Sequence, residues 1–341
     1  MLIYNAIFLF LTLFALLDLS DKKNLAFFVI PCFTLFILTA FRGNGGDDFF
    51  VYEQYFNSIP DELFKYGYGY YILNVIVKNV GDYSLFIIIS SSLCIILQSI
   101  FIYRESEKPC FVLFVFFATS FLWLDFILIR QSIAVGFFII AMIYFKNNKN
   151  ILALLFLCMA SLFHETAIFA GLMFYILYRV NKSGAIISVL ILILIAPFLS
   201  EVISIINNLT IKNNNVNLYI NQRALPSLAN IVELLAAFIA FYKIKNTTAF
   251  RSDVDRKCYK SILLSSLCIL ILSYTIPSLA RFLEYFRLFY FILLAKLLSR
   301  LDFTSRYLLL IVIVLYGFLR LNSFINQFDT GFDYIFNGST L

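Results

Sequence analysis

His164 is the only histidine in the chain, and it stands beside Glu165 in an otherwise apolar stretch from Ile151 to Tyr178. An imidazole exchanges a proton near neutral pH and a carboxylate can share that work, so the pair could serve acid–base chemistry. Ionisable groups are costly at membrane depth and usually line a hydrated cavity there. Arg130 and Arg287 also fall inside apolar runs. A guanidinium presents a planar fork that grips phosphate or carboxylate at two points. Plainer roles compete: Arg130 paired with Asp125, Arg287 paired with Glu284, and His164 capping two broken helix ends. A third group lies at Arg42, Gly43, Asn44, Gly45, Gly46, Asp47 and Asp48, followed by Tyr52. Its glycines let the backbone bring a carboxylate close to a ligand, or simply make a turn.

Apolar helices must hold these residues. The chain has 341 residues, 62% hydrophobic and 13% charged, with a mean hydropathy of +0.91. That composition belongs to an all-α polytopic membrane protein and leaves no room for a soluble domain. The formal charge of +6 does not indicate nucleic acid, because the basic residues sit in short loops instead of on a broad face. The six cysteines lack CxxC spacing and read as small apolar residues. One histidine and an Asp pair do not make a metal set, so neither a metal nor a cofactor is expected.

The apolar runs predict about twelve transmembrane helices, two of them short segments broken near His164. The stretch from Ile151 to Tyr178 is too long for one upright crossing, and a break at Phe163-His164-Glu165 leaves two short halves. With that break, most of the 26 basic residues gather on one side, including the cluster from Lys243 to Lys260. The positive-inside rule makes that side the cytoplasm. Arg42, Arg130, Arg281 and Arg287 then fall on the outer side. The expectation is one integral membrane domain over 1–341, with outer loop regions at 42–82 and 207–226. The tyrosine-rich segment from Lys65 to Tyr71 suits an interfacial belt or stacking on sugars.

Four segments, in order, resemble the motifs of the EpsG/Wzy-type polysaccharide polymerases. Arg42 with Gly46-Asp47-Asp48-Phe49, Tyr52 and Phe56 is similar to that family's R…GxDxxxY…F loop. Arg130-Gln131-Ser132-Ile133-Ala134 is similar to its RQxxA segment, and Phe163-His164-Glu165-Thr166-Ala167 to FHxSA, with Thr166 where Ser is usual. Arg281-Phe282-Leu283-Glu284-Tyr285-Phe286 resembles its late Arg-rich span. The chain departs from the family at Thr166 and in lacking an acidic residue just before Tyr68.

The resemblance implies a GT-C-like polymerase architecture in the bacterial inner membrane, with the active site facing the periplasm. The implied reaction transfers a growing oligosaccharide from undecaprenyl diphosphate onto an undecaprenyl-diphosphate-linked repeat unit. Arg130 and Arg281 would clamp the diphosphate, with Arg42 and Arg287 as further contacts. Asp48 and His164 are candidate bases, with Glu165 and Glu284 behind them. Tyr52 and Gln131 would contact substrate. Partners would be the lipid-linked oligosaccharides, the bilayer, a chain-length regulator and a flippase. The competing readings are a multi-span transferase using a lipid monophosphate sugar, a lipid-linked-oligosaccharide flippase and a secondary transporter.

Overall fold

Polar residues mark where the helices begin. Asn24 caps one helix by accepting from Ala26 N at 2.9 Å, Asp82 caps another through Leu85 N at 3.0 Å, and Asp18 reaches across to cap a third at Cys110 N, 2.9 Å. The computed structural model describes residues 2–20, 23–43, 48–59, 66–198, 225–327 and 334–336. Within them the protein is helical, and no strand occurs beyond an isolated bridge between Arg42 and Phe336. The helices are α1 (Leu2–Ser20), α2 (Leu25–Ala40), α3 (Asp48–Ser58), α4 (Tyr68–Lys78), α5 (Tyr83–Glu105), α6 (Pro109–Phe116), α7 (Ile129–Lys146), α8 (Asn150–Phe163), α9 (Thr166–Arg179), α10 (Lys182–Ile195), α11 (Leu228–Ile244), α12 (Asp253–Ser273), α13 (Glu284–Leu298) and α14 (Phe303–Ile325).

Among the described residues, five helical segments are long and apolar enough to cross a membrane: Leu2–Leu19, Tyr83–Glu105, Pro109–Ile127, Ile129–Lys146 and Phe303–Ile325. The chain is a membrane protein. The other crossings expected from the sequence fall on helices that are shorter, that carry charge in their first turns, or that run beyond the described residues. Gly46, Asp47, Lys65 and residues 207–224 of the second expected outer loop lie outside the described residues.

The chain divides into two units, residues 1–168 with 295–341, and residues 169–294. In the first unit, contacts between helix ends give the direction of each helix. At one end, Lys108 Nζ donates to Asp18 O at 2.6 Å, Lys146 pairs with Glu105, Arg300 lies 3.3 Å from Glu107, and Arg306 Nη1 donates to Leu19 O at 3.4 Å. At the other end, Tyr4 meets Phe126 edge-on at 6.3 Å, Trp123 meets Phe324 at 6.3 Å, and Arg42 Nη1 donates to Asp125 O at 2.9 Å. The basic loops of this unit therefore share one end, as the charge pattern predicts, and Arg42 and Arg130 sit at the opposite one.

Helix α8 shows why a short helix can run that course. Its only buried residues are Ala153 and Ala160, small enough to let backbones approach closely. On the same face, Phe156 stacks on Tyr144 at 5.3 Å and Phe163 stacks on Phe137 at 5.7 Å, which seats α8 along α7. The chain reaches α7 through an unusual coil. Beyond Phe116 it widens into a π-helical stretch, Phe117–Ile127, closed by Leu128 N donating to Trp123 O at 3.1 Å. Such i→i+5 stretches are rare and often stand at functional sites.

The second unit holds most of α9, then α10, α11, α12, a 3₁₀ turn (Pro277–Leu283) and most of α13. Here α12 packs on the 3₁₀ turn, on α11 and on α10.

Candidate functional site

The break expected near His164 is present. Helix α8 ends at Phe163, and His164 is extended at φ −153° and ψ 113°, its N–H donating to Ala160 O at 3.0 Å. The next helix starts at Thr166, with Ala167 N donating to His164 O at 3.0 Å. Thr166 Oγ1 lies 2.6 Å from His164 Nδ1. The hydroxyl therefore fixes the ring's orientation, as a serine would, so the Ser-to-Thr departure keeps this contact. Glu165, by contrast, is exposed.

Arg130 opens α7 and is half-buried. Its guanidinium lies 4.6 Å from the ring centre of Tyr66, 5.8 Å from Tyr52 and 5.9 Å from Tyr70. Three aromatic faces hold a cation at about 0.5–2 kcal/mol each. Arg130 Nη1 also donates to Tyr66 O at 3.0 Å, and Tyr52 is a further hydrogen-bond partner. Burial pushes the Tyr52 phenol above its ordinary range, Arg130 pulls it down, and Asp48 pushes it up. Asp48, the first residue of α3, is thus an electrostatic neighbour of the Tyr52–Arg130 pair.

The next residue after Tyr66 joins Arg130 to the helix break. Gly67 has φ +97°, and a Cβ placed on it would come within 3.0 Å of Leu162 O. Only glycine adopts this backbone and this close approach without strain. Gly69 presses on Leu162 in the same way, at 3.0 Å. One short segment therefore touches Arg130 through Tyr66 and the last turn before His164 through Gly67. Gly67→Ala should lose roughly 1–3 kcal/mol of local stability, seen as faster protease cleavage between α3 and α4 than in the unaltered protein. Equal cleavage rates would show that the segment tolerates another conformation.

Arg42 and Asp125 form a separate buried group. Arg42 is 1% exposed, its guanidinium lies 4.6 Å from the Phe126 ring, and its Nη1 donates to the Asp125 main-chain carbonyl. The Asp125 carboxylate accepts from Ser132 and from Gln98 Nε2, the latter at 3.0 Å. Asp125 is thus the neighbour of Arg42, and not of Arg130 as the plainer of the two sequence readings has it. The reason is Leu128, whose φ −93° and ψ 49° break the helix between residues 125 and 130 and turn Arg130 to the tyrosines. Gln131 is buried beside it in the chain, 2% exposed.

In the second unit, Arg287 is buried among acidic and amide groups. Its Nη1 lies 2.5 Å from Glu233 Oε2, its Nε lies 3.0 Å from Glu284 Oε1, and Nη2 donates to Asn230 Oδ1. These partners belong to α11 and α13, so the group ties two helices together. Arg281 sits in the 3₁₀ turn and is exposed. Among the described residues, no cluster of His, Cys, Asp and Glu could hold a metal ion.

The sequence model of the EpsG family matches residues 25–336. The chain belongs to the EpsG family. No curated protein and no solved structure matches it. Family membership makes it a polysaccharide-polymerase-like membrane protein, and the family match takes in all the candidate residues from Arg42 to Arg287.

In this EpsG-family chain, sequence reasoning missed Tyr66, Tyr70 and Glu233 as partners of the arginines. Glu233 was findable, since a carboxylate inside the apolar run of α11 is a signal in itself. Tyr66 and Tyr70 were visible as members of an aromatic belt or a sugar-stacking segment, because a tyrosine-rich segment does not announce which cation it will surround.

Proposed function

We propose that this protein is a glycosyltransferase that polymerises polysaccharide repeat units at the outer face of the bacterial inner membrane. It moves a growing oligosaccharide from undecaprenyl diphosphate onto an undecaprenyl-diphosphate-linked repeat unit. The observation that carries the reading is the linkage of Arg130, Tyr66-Gly67 and the His164 break at the helix ends opposite the basic loops. A helix of 14 residues such as α8 rises about 21 Å, less than the roughly 30 Å of hydrocarbon, so a helix starting at the basic end leaves His164 below the far surface.

In this reaction the acceptor hydroxyl oxygen bonds to the anomeric carbon. The bond from that carbon to the phosphate oxygen breaks, and undecaprenyl diphosphate leaves with the electron pair. The site must stabilise charge growing on phosphate and remove the hydroxyl proton. Arg130, held by its three tyrosines, supplies a fixed fork of donors, which costs no reorganisation when the charge develops. Asp48 and His164 are the candidate bases. The chain-length regulator and flippase remain the proposed partners, and about twelve crossings the proposed topology.

Deleting the gene in the native strain tests the reading. The ladder of long surface glycans should collapse to core plus a single repeat; a normal ladder, or loss of even the single repeat, would contradict it. Orientation has its own test in a chain whose six cysteines are replaced by serine. A cysteine at Val80, exposed between α4 and α5, should react with an impermeant thiol reagent in intact cells, and one at Lys149 should not. The reverse pattern would invert the topology.

A further inference from the structure

The second unit carries a recess of about 370 Å³ between α9, α10, α12 and the 3₁₀ turn. That volume falls within the roughly 300–1,000 Å³ of pockets that hold small molecules. Its walls are apolar, with Phe169, Ile176, Leu192, Leu272 and Phe282 among them and Ser188 as the polar exception. Phe169 and Phe282 stack at 6.5 Å and 22° to form one lip. Leu279 and Phe282 both belong to the 3₁₀ turn and both line the recess. Between them in sequence is Arg281, exposed at the same turn.

An apolar groove with a guanidinium on the turn that forms its lip is complementary to one kind of molecule: a long hydrocarbon chain ending in an anionic head. We infer that this groove seats the first branched units of a polyprenyl chain, with Arg281 on its phosphate or diphosphate. The inference rests on the polymerase reading above, since that reaction supplies such a lipid. It adds a tail-binding site on α9, α10 and α12 that the motif residues do not indicate. A convex helix face would meet bilayer lipid equally well at every point. A recess lined from three helices and a turn instead favours a chain that stays, and the charge at its lip selects the head group.

The test uses the full-length protein in phosphatidylcholine nanodiscs and an undecaprenyl diphosphate carrying a photoreactive diazirine in its first isoprene units. Irradiation should label peptides of α9 and α12, and excess undecaprenyl diphosphate should compete while undecaprenol and phosphatidylglycerol should not. Arg281→Ala should lower the labelling about tenfold, the loss expected for one charge-assisted contact. Leu272→Trp and Ile176→Trp, which fill the recess from two different helices, should each abolish it while the protein elutes as a single folded peak. Labelling confined to other helices would overturn the inference. Equal competition by phosphatidylglycerol would also overturn it, by showing contact with any anionic lipid. Groove labelling as expected, together with an unchanged glycan ladder in the deletion strain, would sink the polymerase reading and leave the lipid site standing.

Discussion

Arg130→Ala should abolish long-chain glycan while the protein remains in the membrane at its usual level. Removing one preorganised donor from a site that stabilises developing charge typically costs 10²- to 10³-fold in rate, about 3–4 kcal/mol. Arg130 projects from the first turn of α7 into a ring of tyrosines, and among the described residues it makes no ion pair with Asp125, so its loss strands no described buried carboxylate. Arg130→Lys keeps the charge but not the planar fork, and should recover only part of the activity. Tyr66→Phe should keep more activity than Tyr66→Leu, because both the ring face and the carbonyl that accepts from Arg130 remain. Tyr66→Leu should lose activity with normal abundance. The checks are the length distribution of surface glycan and the amount of protein in isolated membranes. Normal ladders with Arg130→Ala would remove this residue from the site, and loss of the protein itself would make its role structural.

Arg287→Ala should act on stability instead. The guanidinium lies against Glu233 and Glu284 and receives Asn230 as a third partner, all of them buried. Taking out the cation leaves two carboxylates together in an apolar interior, and breaking a buried pair from one side costs about 3–5 kcal/mol. The expected result is a protein of low abundance, with a thermal midpoint in detergent lower by several degrees or more. A double replacement, Arg287→Gln with Glu233→Gln, removes one carboxylate with the cation and should restore much of the abundance. If Arg287→Ala is instead abundant, equally heat-stable and inactive, then Arg287 contacts substrate as the family resemblance implies.

These two arginines show how much the sequence could say. Both stand out as cations in apolar runs, but one is ringed by tyrosines and the other by carboxylates. The difference depends on which helices pack together. Glu233 comes to Arg287 from α11, far away in sequence, and no spacing rule connects them. Arg42 and Arg130 both lie near Asp125 in the fold or in the sequence, and the turn at Leu128 decides which of them meets it. The break at His164 was legible because its cause is local: the apolar stretch is too long for one crossing and two ionisable residues stand at its middle. The gathering of basic loops at one end of the first unit was legible too, since charge placement follows membrane topology. The Gly67 contact was not. A glycine in a tyrosine-rich segment reads as a turn, and only Leu162 pressing against it shows why a side chain is excluded.

The most direct measurement uses the purified protein alone, reconstituted with the native strain's undecaprenyl-diphosphate-linked repeat unit. Chains of two or more repeats should appear on lipid together with released undecaprenyl diphosphate, and Arg130→Ala should yield neither. A substrate that stays as single repeats with the unaltered protein, in vesicles where it is folded and correctly oriented, would contradict the account.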